Sequence, residues 1–558
     1  MLLPPDAKRL VPWAEEIIDR CCASMGQRAM QARSQKQWLM TGSPDGNSSI
    51  LNMLYPHIDR TASYFYSPSD LRMRGEFTQS YPKEILGQAQ VAARVVSREW
   101  ERRDIDMQFG EGVAMALTYG TCIPKLMYTH GGLTCKLCMP WQIGVYREDE
   151  AEFSEQEAVD EKNWITPFDL WRRISHLPNA IDLFKRARSH ARRKTVNDDG
   201  DSYFHQVLIG GMNPSVQTAP PFIQQPGGLV QIATDASGAQ MSATVAEEMI
   251  AFHELYAWDD EREDFTTIQI AEPDILIAPQ FKRRNLFIPE YLPYGKIQPN
   301  KQQGYFWGRS EMADLYKLQN LMRNRLEDIK RLMAMQYDRR YFFTGQAFMT
   351  DELYDQMKQA GYANLGEGAD VKDVTPELPK EAFGEIAEIQ KLFNYVAGFD
   401  NIMSGQGEPG VRAGNHAEML LKTASPRMRD RALLVERQCA DLCDKSFHCL
   451  ADKEAKGYWT DEAGMAQEFM LSQLPDDFRL SVDSHSSSPI YEDNHAQLAF
   501  ALAKIQAIGA EDLIEMLPVP NRDLLKIHLR ERQAAQQKLI QEHPELLTHG
   551  KTASHHKA

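Results

Sequence analysis

Eight cysteines are spread over 558 residues, too few and too scattered for a disulfide framework. No apolar run approaches the roughly 20 residues that span a bilayer. The opening residues, Met1-Leu-Leu-Pro-Pro-Asp-Ala-Lys8, lack an apolar core of the signal-peptide kind. A reducing cytosolic setting and no membrane association are therefore expected. An excess of cations is also missing: the formal net charge is −16. That argues against a protein gripping nucleic acid tightly through its phosphates. It leaves open one past which DNA must slide, because an acidic wall repels phosphate. No phosphate-binding G-x-x-x-x-G-K-[ST], no H-E-x-x-H and no G-x-S-x-G occurs, which disfavours an ATP-driven motor, a zincin or a serine hydrolase.

What is present points to a helical chain with a β-rich middle. An apolar fraction of 43% supports real cores, and 25% charged residues is ordinary for a soluble protein. The length implies several domains or one large elaborated body. Trp13, Ile17, Cys21 and Met25 recur at helical spacing and predict one amphipathic helix over 11–40. Helices are also expected at 49–64, interrupted at Pro56, at 83–103 and at 111–119. Gly120 then leads into a hairpin, Thr121–Tyr128 and Leu133–Met139, turned by His130-Gly131-Gly132. The stretch 147–161 carries Glu148, Asp149, Glu150, Glu152, Glu155, Glu157, Asp160 and Glu161, and reads as a solvated excursion. Thr166-Pro167-Phe168-Asp169 has the cap, first-turn proline and early acid of a helix start. That helix runs toward Arg193, with a kink or restart at Asn179 after Pro178.

Residues 202–306 alternate β-branched and polar side chains between Pro and Gly breakers. They predict strands near Tyr203–Ile209, Leu229–Ala233, Met249–Trp258 and Thr266–Ile270. Gly308-Arg-Ser-Glu311 opens the strongest helix. Ser310 caps it, Glu311 and Asp314 suit its positive end, and Leu315, Leu318, Met322, Leu326, Ile329 and Met333 form its stripe. It reaches Tyr337, roughly 40 Å at about 1.5 Å per residue. A strand within 341–350, helices at 379–398 and 415–456 (kinked at Pro426) and a helical region over 494–540 follow. The tail His549–Ala558 has no core-forming pattern and is expected to be mobile.

Several groups of residues could carry chemistry. Cys135-Lys-Leu-Cys138 resembles half a zinc site, but it has no second pair, and positions i and i+3 of a strand face opposite ways. Cys439 and Cys443 share a helix face, which suits core packing. Asp259, Asp260, Glu261, Glu263 and Asp264 are crowded between Trp258 and Phe265 at a hairpin tip. They read either as a solvated turn or as ligands of a metal-dependent nucleic-acid-processing enzyme. Lys185, Arg186, Arg188, Arg192, Arg193 and Lys194 read equally as phosphate or adaptor contacts and as a solvated helix end whose cations suit the C-terminal dipole. Tyr305, Phe306 and Trp307 suit a packed hinge better than a stacking platform. No cofactor, no metal centre and no catalytic constellation is expected.

The most informative stretch is Ser404-Gly405-Gln406-Gly407-Glu408-Pro409-Gly410-Val411-Arg412-Ala413-Gly414. Gly405, Gly407 and Gly410 fit G-x-G-x-x-G, yet a helix precedes them where a nucleotide site needs a strand. Pro409 removes an amide that phosphate would need, and Glu408 would repel it. A mobile glycine loop between two long helices is the better reading, with Arg412 its only cation.

The order helix, β-rich insertion, long helix, glycine loop, kinked helix resembles that of phage portal proteins, the head-to-tail connectors of short-tailed phages. Tyr119-Gly-Thr-Cys-Ile-Pro-Lys-Leu126 resembles the family's helix-Gly-strand approach to the wing. Gly304-Tyr-Phe-Trp-Gly-Arg-Ser310, followed by Leu315, Leu318, Gln319 and Asn320, resembles the start of its second stem helix. Residues 404–414 resemble its channel loop. The resemblance spans roughly 80–480 and rests on element order and short motifs. It implies an α+β, predominantly helical portal fold: wing (1–165), first stem helix (166–201), β-rich clip with adjoining wing strands (202–308), second stem helix (309–337), wing with channel loop 400–414 and kinked helix 415–456 (338–480), helical crown (481–548) and tail (549–558). It further implies a non-enzymatic homo-oligomeric ring, usually of about twelve subunits. Such a ring sits at the capsid vertex of the virion after assembly in the host cytoplasm. Double-stranded DNA passes through its channel during packaging and ejection. Its partners are the major capsid protein, scaffolding protein, terminase large subunit and tail adaptor. A generic capsid component is the blander alternative.

Overall fold

The computed structural model describes residues 7–44, 49–68, 71–129, 131–177, 179–195, 222–225, 228–231, 244–260, 264–278, 292–337, 341–344, 350–352, 370–376, 382–398, 426–460 and 466–483, with isolated positions elsewhere. The fold is a mixture of helix and strand. The expected strand 203–209, the loop 404–414 and nearly all of the expected C-terminal helices lie outside the described residues.

The chain opens with α1 (Ala7–Cys22) and α2 (Met25–Thr41), two helices where the spacing predicts one. The break has a packing cause. Leu10, Ala14, Ile17, Ile18 and Cys21 of α1 bury against one sheet, whereas Trp38 and Leu39 of α2 pack on the helical core. Next comes α3 (Leu54–Phe65). Pro56 does not interrupt it, since Pro56 stands in the first turn, where no helical N–H is needed. Then follow β1 (Arg72–Phe77), α4 (Lys83–Arg102) and α5 (Ile105–Tyr119). The predicted hairpin forms as β2 (Ile123–Thr129) and β3 (Gly132–Cys138), with Ile123 opposite Cys138 and Thr129 opposite Gly132.

The next elements are β4 (Ile143–Val145), β5 (Ala158–Ile165), α6 (Pro167–Ile174), α7 (Ala180–Ser189) and β6 (Arg192–Thr195). Thr166 caps α6, its hydroxyl accepting from the Asp169 amide at 3.1 Å. The restart at Asn179 is present. The expected run of helix to Arg193 is not, because 192–195 pairs as strand with β9 (Thr244–Asp259). Residues 147–161 are a solvated excursion only in part: Asp149, Glu152, Glu155 and Glu157 are exposed, but the run ends in β5, a central strand, with Asp160 and Glu161 almost fully buried.

The insertion supplies β7 (Phe222–Gln225), β8 (Gly228–Gln231), β9, β10 (Asp264–Ala271) and β11 (Ile275–Ala278). Strand β9 organises an antiparallel sheet in the order β11-β10-β9-β5-β4, with β6 and β8 also on β9. The two faces of this sheet do different jobs. On one, Ala158, Leu255, Ala257, Ile268 and Ile270 receive α1. On the other, Val159, Tyr256 and Phe265 meet Ile123, Cys138, Tyr294 and Phe306. Farther along that second face, Ile165, Ile250 and Phe252 meet Leu170, Ile174 and Ala187 of α6 and α7.

A 3-10 turn, Glu311–Asp314, precedes α8 (Tyr316–Tyr337). The helix is shorter than predicted, about 33 Å for 22 residues. Its stripe is buried at Leu315, Met322 and Ile329, but Met333 and Tyr337 are exposed. It packs along α9 (Ala382–Ala397), and β12 (Tyr341–Thr344) pairs with β13 (Asp370–Asp373) beyond its end. Then α10 (Pro426–Asp452) runs through the largest core with α3, α4 and α5. Trp100 is fully buried there and donates to Ser446 Oγ at 3.0 Å. The hairpin β14 (Lys456–Thr460) and β15 (Ala466–Met470) and then β16 (Phe478–Asp483), paired with β1, complete the described chain.

Candidate functional site

The two short motifs at 119–126 and 304–310 meet. Gly120 ends α5 at φ +93°, a conformation open to glycine. It lies so close to Gly308 that a Cβ on either would overlap the other's carbonyl oxygen. The Gly308 amide donates to Thr121 Oγ1 at 2.8 Å, and Ser310 Oγ donates to the Thr118 carbonyl at 2.6 Å. Residue pairs Cys122–Ile297 and Lys125–Tyr294 continue the contact as antiparallel bridges.

The foot of α8 is fixed by charge. Glu311 pairs with Arg431 of α10 and accepts from Asn300 Nδ2 at 2.7 Å, and His57 of α3 lies 3.5 Å away. Burial pushes the Glu311 carboxyl up, but the hydrogen bond from His57 and the Arg431 charge outweigh it and hold it at about 2. Glu311 therefore does more than favour a helix dipole: it ties three helices together.

Residues 305–307 are packed. Phe306 and Trp307 are buried, the Arg28 guanidinium lies 4.1 Å from the Trp307 ring centre, and Trp307 Nε1 and Tyr305 OH both donate to Glu148, at 2.8 and 2.9 Å. Arg28 and Ser24 complete the shell around that carboxylate.

A second ionic group holds the hairpin on the sheet. Lys125 reaches Glu161 at 2.5 Å and Glu254 at 3.0 Å. Lys136 reaches Glu161 at 2.7 Å, Tyr294 donates to Glu161 at 2.8 Å and Tyr256 to Glu254 at 2.6 Å. Burial opposes charge on Glu161, yet Lys125 and Lys136 hold it well below the usual carboxylate range. Every charged member has a partner, so the group reads as a structural lock. Glu161 reads as solvated in the sequence because its cations come from strands 25 and more residues away.

The cationic run divides. Lys185 is exposed on α7, Arg186 pairs with Asp274 at 2.8 Å and Arg188 with Glu248 at 3.1 Å. Arg192, Arg193 and Lys194 lie on β6 opposite Met249, Glu248 and Glu247. Lys185 and Arg188 border an open apolar groove lined by Phe168, Trp171, Ile181 and Phe184. Of the acids at 259–264, Asp259 stands opposite Asp264 at the end of the β9–β10 pair; Asp259 is buried, against the expectation of a solvated turn, while Asp260 is exposed, and Trp258 packs edge-on against Phe265 at 5.2 Å. Glu261 and Glu263 lie outside the described residues. Cys135 and Cys138 have thiols pushed up by burial, and none of the eight cysteines is bridged.

One group was missed from sequence: Cys22, Asp160 and His253, whose donor atoms lie within 4.8 Å of one another. Burial and Asp160 push the Cys22 thiol up, so it is not a nucleophilic thiolate.

The loop 404–414 lies outside the described residues, but its anchors do not. Gly398, at the end of α9, lies against Met428 near the start of α10, and Ala397 and Met428 share one core. The segment 399–425 thus begins and ends at adjacent points, both close to the foot of α8.

Compared with known proteins, the chain matches no family model and no curated sequence.

Proposed function

We propose that this chain is the subunit of a phage portal, a ring that conducts double-stranded DNA into and out of a capsid. The observation that carries the reading is the meeting of the 119–126 and 304–310 motifs. Widely separated in sequence, they pack on each other at the root of a helix about 33 Å long. In the portal reading α8 is the second stem helix, and α6 with α7 stands where the first would be, as a broken pair. The segment 399–425 supplies the channel loop of this reading, and it leaves and rejoins the body at neighbouring points, Gly398 and Met428. The exposed apolar side chains of α8 and α9, Tyr337 (89%) and Tyr395 (81%) among them, supply contact area for neighbouring subunits. The net charge of −16 suits a wall past which DNA slides.

Deletion of 405–410 tests the loop's role. Rings are expected to assemble, while DNA packaging or genome retention falls; normal packaging contradicts it. Replacing Arg412 by Ala is expected to weaken the DNA contact alone. Purified protein incubated with DNA and magnesium is expected to leave the DNA intact. Cleavage would favour the nuclease reading of Asp259, Asp260, Glu261, Glu263 and Asp264.

A further inference from the structure

Helix α1 ends on the face of the central sheet that it covers, and its last residue is Cys22. Two strands of that face offer ligands beneath it. Asp160 of β5 stands opposite Leu255, and His253 lies two residues along β9 on the same side. Asp160 Oδ2 accepts from the Cys22 thiol at 3.3 Å and lies 2.9 Å from His253 Nδ1. Its other oxygen, Oδ1, is buried with no hydrogen-bond partner, on a residue with 0% exposure. A buried carboxylate oxygen left unpaired costs about 1–3 kcal/mol, so such an atom calls for a further ligand.

From this convergence we infer that Cys22, Asp160 and His253 form a zinc site that staples the α1–α2 junction to the sheet.

The donor set selects the metal. A thiolate and an imidazole favour zinc over magnesium or calcium, which take oxygen ligands. Tetrahedral zinc at its usual bond lengths spaces its donors about 3.3–3.8 Å apart. Two of the three separations, 2.9 and 3.3 Å, need open by only a few tenths of an ångström, and the third, from Cys22 to His253, lies within 4.8 Å. Three protein ligands leave a fourth position, reached by water from the half-exposed side of Cys22. On binding, zinc forms bonds to Sγ, to a carboxylate oxygen and to Nδ1. The thiol proton leaves to solvent, and the imidazole carries its proton on Nε2. A divalent ion, a thiolate and a carboxylate sum to zero charge, which is what a buried site requires. Lys162 stands opposite His253 in the register.

The test uses the full chain, purified without a metal-affinity tag and loaded with zinc or cobalt. Wild-type protein is expected to retain close to one zinc per chain after dialysis, and to show a sulfur-to-cobalt charge-transfer band. The band excludes zinc held only by His549, His555 and His556 of the tail, which contains no sulfur. Cys22→Ser should abolish the band and weaken zinc binding by more than about 100-fold, since losing even an outer-sphere partner costs 10- to 100-fold. Cys135→Ser should leave both unchanged. Chelation should lower the melting temperature of wild type but not of Cys22→Ser. No band in wild type, or a band that survives Cys22→Ser, overturns the site whether or not the variant folds as well as wild type.

Discussion

Gly120 and Gly308 touch backbone to backbone, and neither position has room for a Cβ. Nearly two hundred residues separate them in the chain, yet this contact joins the end of α5 to the turn that launches α8. The helix direction is therefore set by a place where two main chains need to approach. Gly120→Ala is expected to destabilise the protein by about 3 kcal/mol, from overlap with Gly308 and strain at positive φ. Gly308→Ala should cost a similar amount, and the double variant less than the sum because both break one contact. Urea unfolding of the three variants measures this; additive costs would show that the glycines act independently.

Lys125 neutralises two buried acids, Glu161 and Glu254. Lys125→Met keeps the stem but leaves Glu254 without a cation and Glu161 with Lys136 alone, and should cost about 3–5 kcal/mol. Glu161→Gln in that background should recover part of the loss. Thermal or urea unfolding of the single and double variants checks the coupling, and a loss below about 1 kcal/mol for Lys125→Met would contradict the lock.

The Glu311 carboxyl is held at about 2 in the folded chain, against an ordinary value of 4.5. A lowered folded value means the unfolded chain binds the proton first. The stabilisation is thus complete above about pH 4.5 and lost as pH falls toward 2. Glu311→Gln should remove this part of the acid sensitivity, flattening stability against pH in that window while lowering stability at neutral pH. An unchanged slope in the variant would place the acid sensitivity elsewhere, for example at Glu161.

Helices α8 and α9 carry exposed apolar side chains, including Met333, Tyr337, Phe383, Leu392 and Tyr395. If these cover one another between subunits, the pair Leu392→Asp and Tyr395→Asp should shift the protein to monomers with unchanged circular dichroism. Analytical ultracentrifugation reads this directly; a variant that still assembles would locate the subunit contact elsewhere.

Much of the fold is legible locally. The hairpin at 123–138, the Thr166 cap, the restart at Asn179 and the strands that pair Trp258 with Phe265 all follow from nearby residues. The packed state of Tyr305–Trp307 was also expected. What is not legible depends on partners distant in sequence. Asp160 and Glu161 sit in an acid-rich run, and only the arrival of His253, Lys125 and Lys136 buries them. The basic residues 192–194 leave the helix because β9 offers a strand to pair with. The zinc donors come from three separate segments, so no spacing could reveal them. The glycine motif at 404–414 lies outside the described residues, and what the structure adds to it is the neighbouring positions of Gly398 and Met428 on either side.

The central claim is that copies of this chain close into a ring around a channel. Negative-stain electron microscopy of the purified full-length protein tests it most directly. The account predicts rings of uniform size with a central hole wide enough for a DNA duplex. Particles that stay monomeric at micromolar concentration, or closed assemblies without a hole, would contradict it.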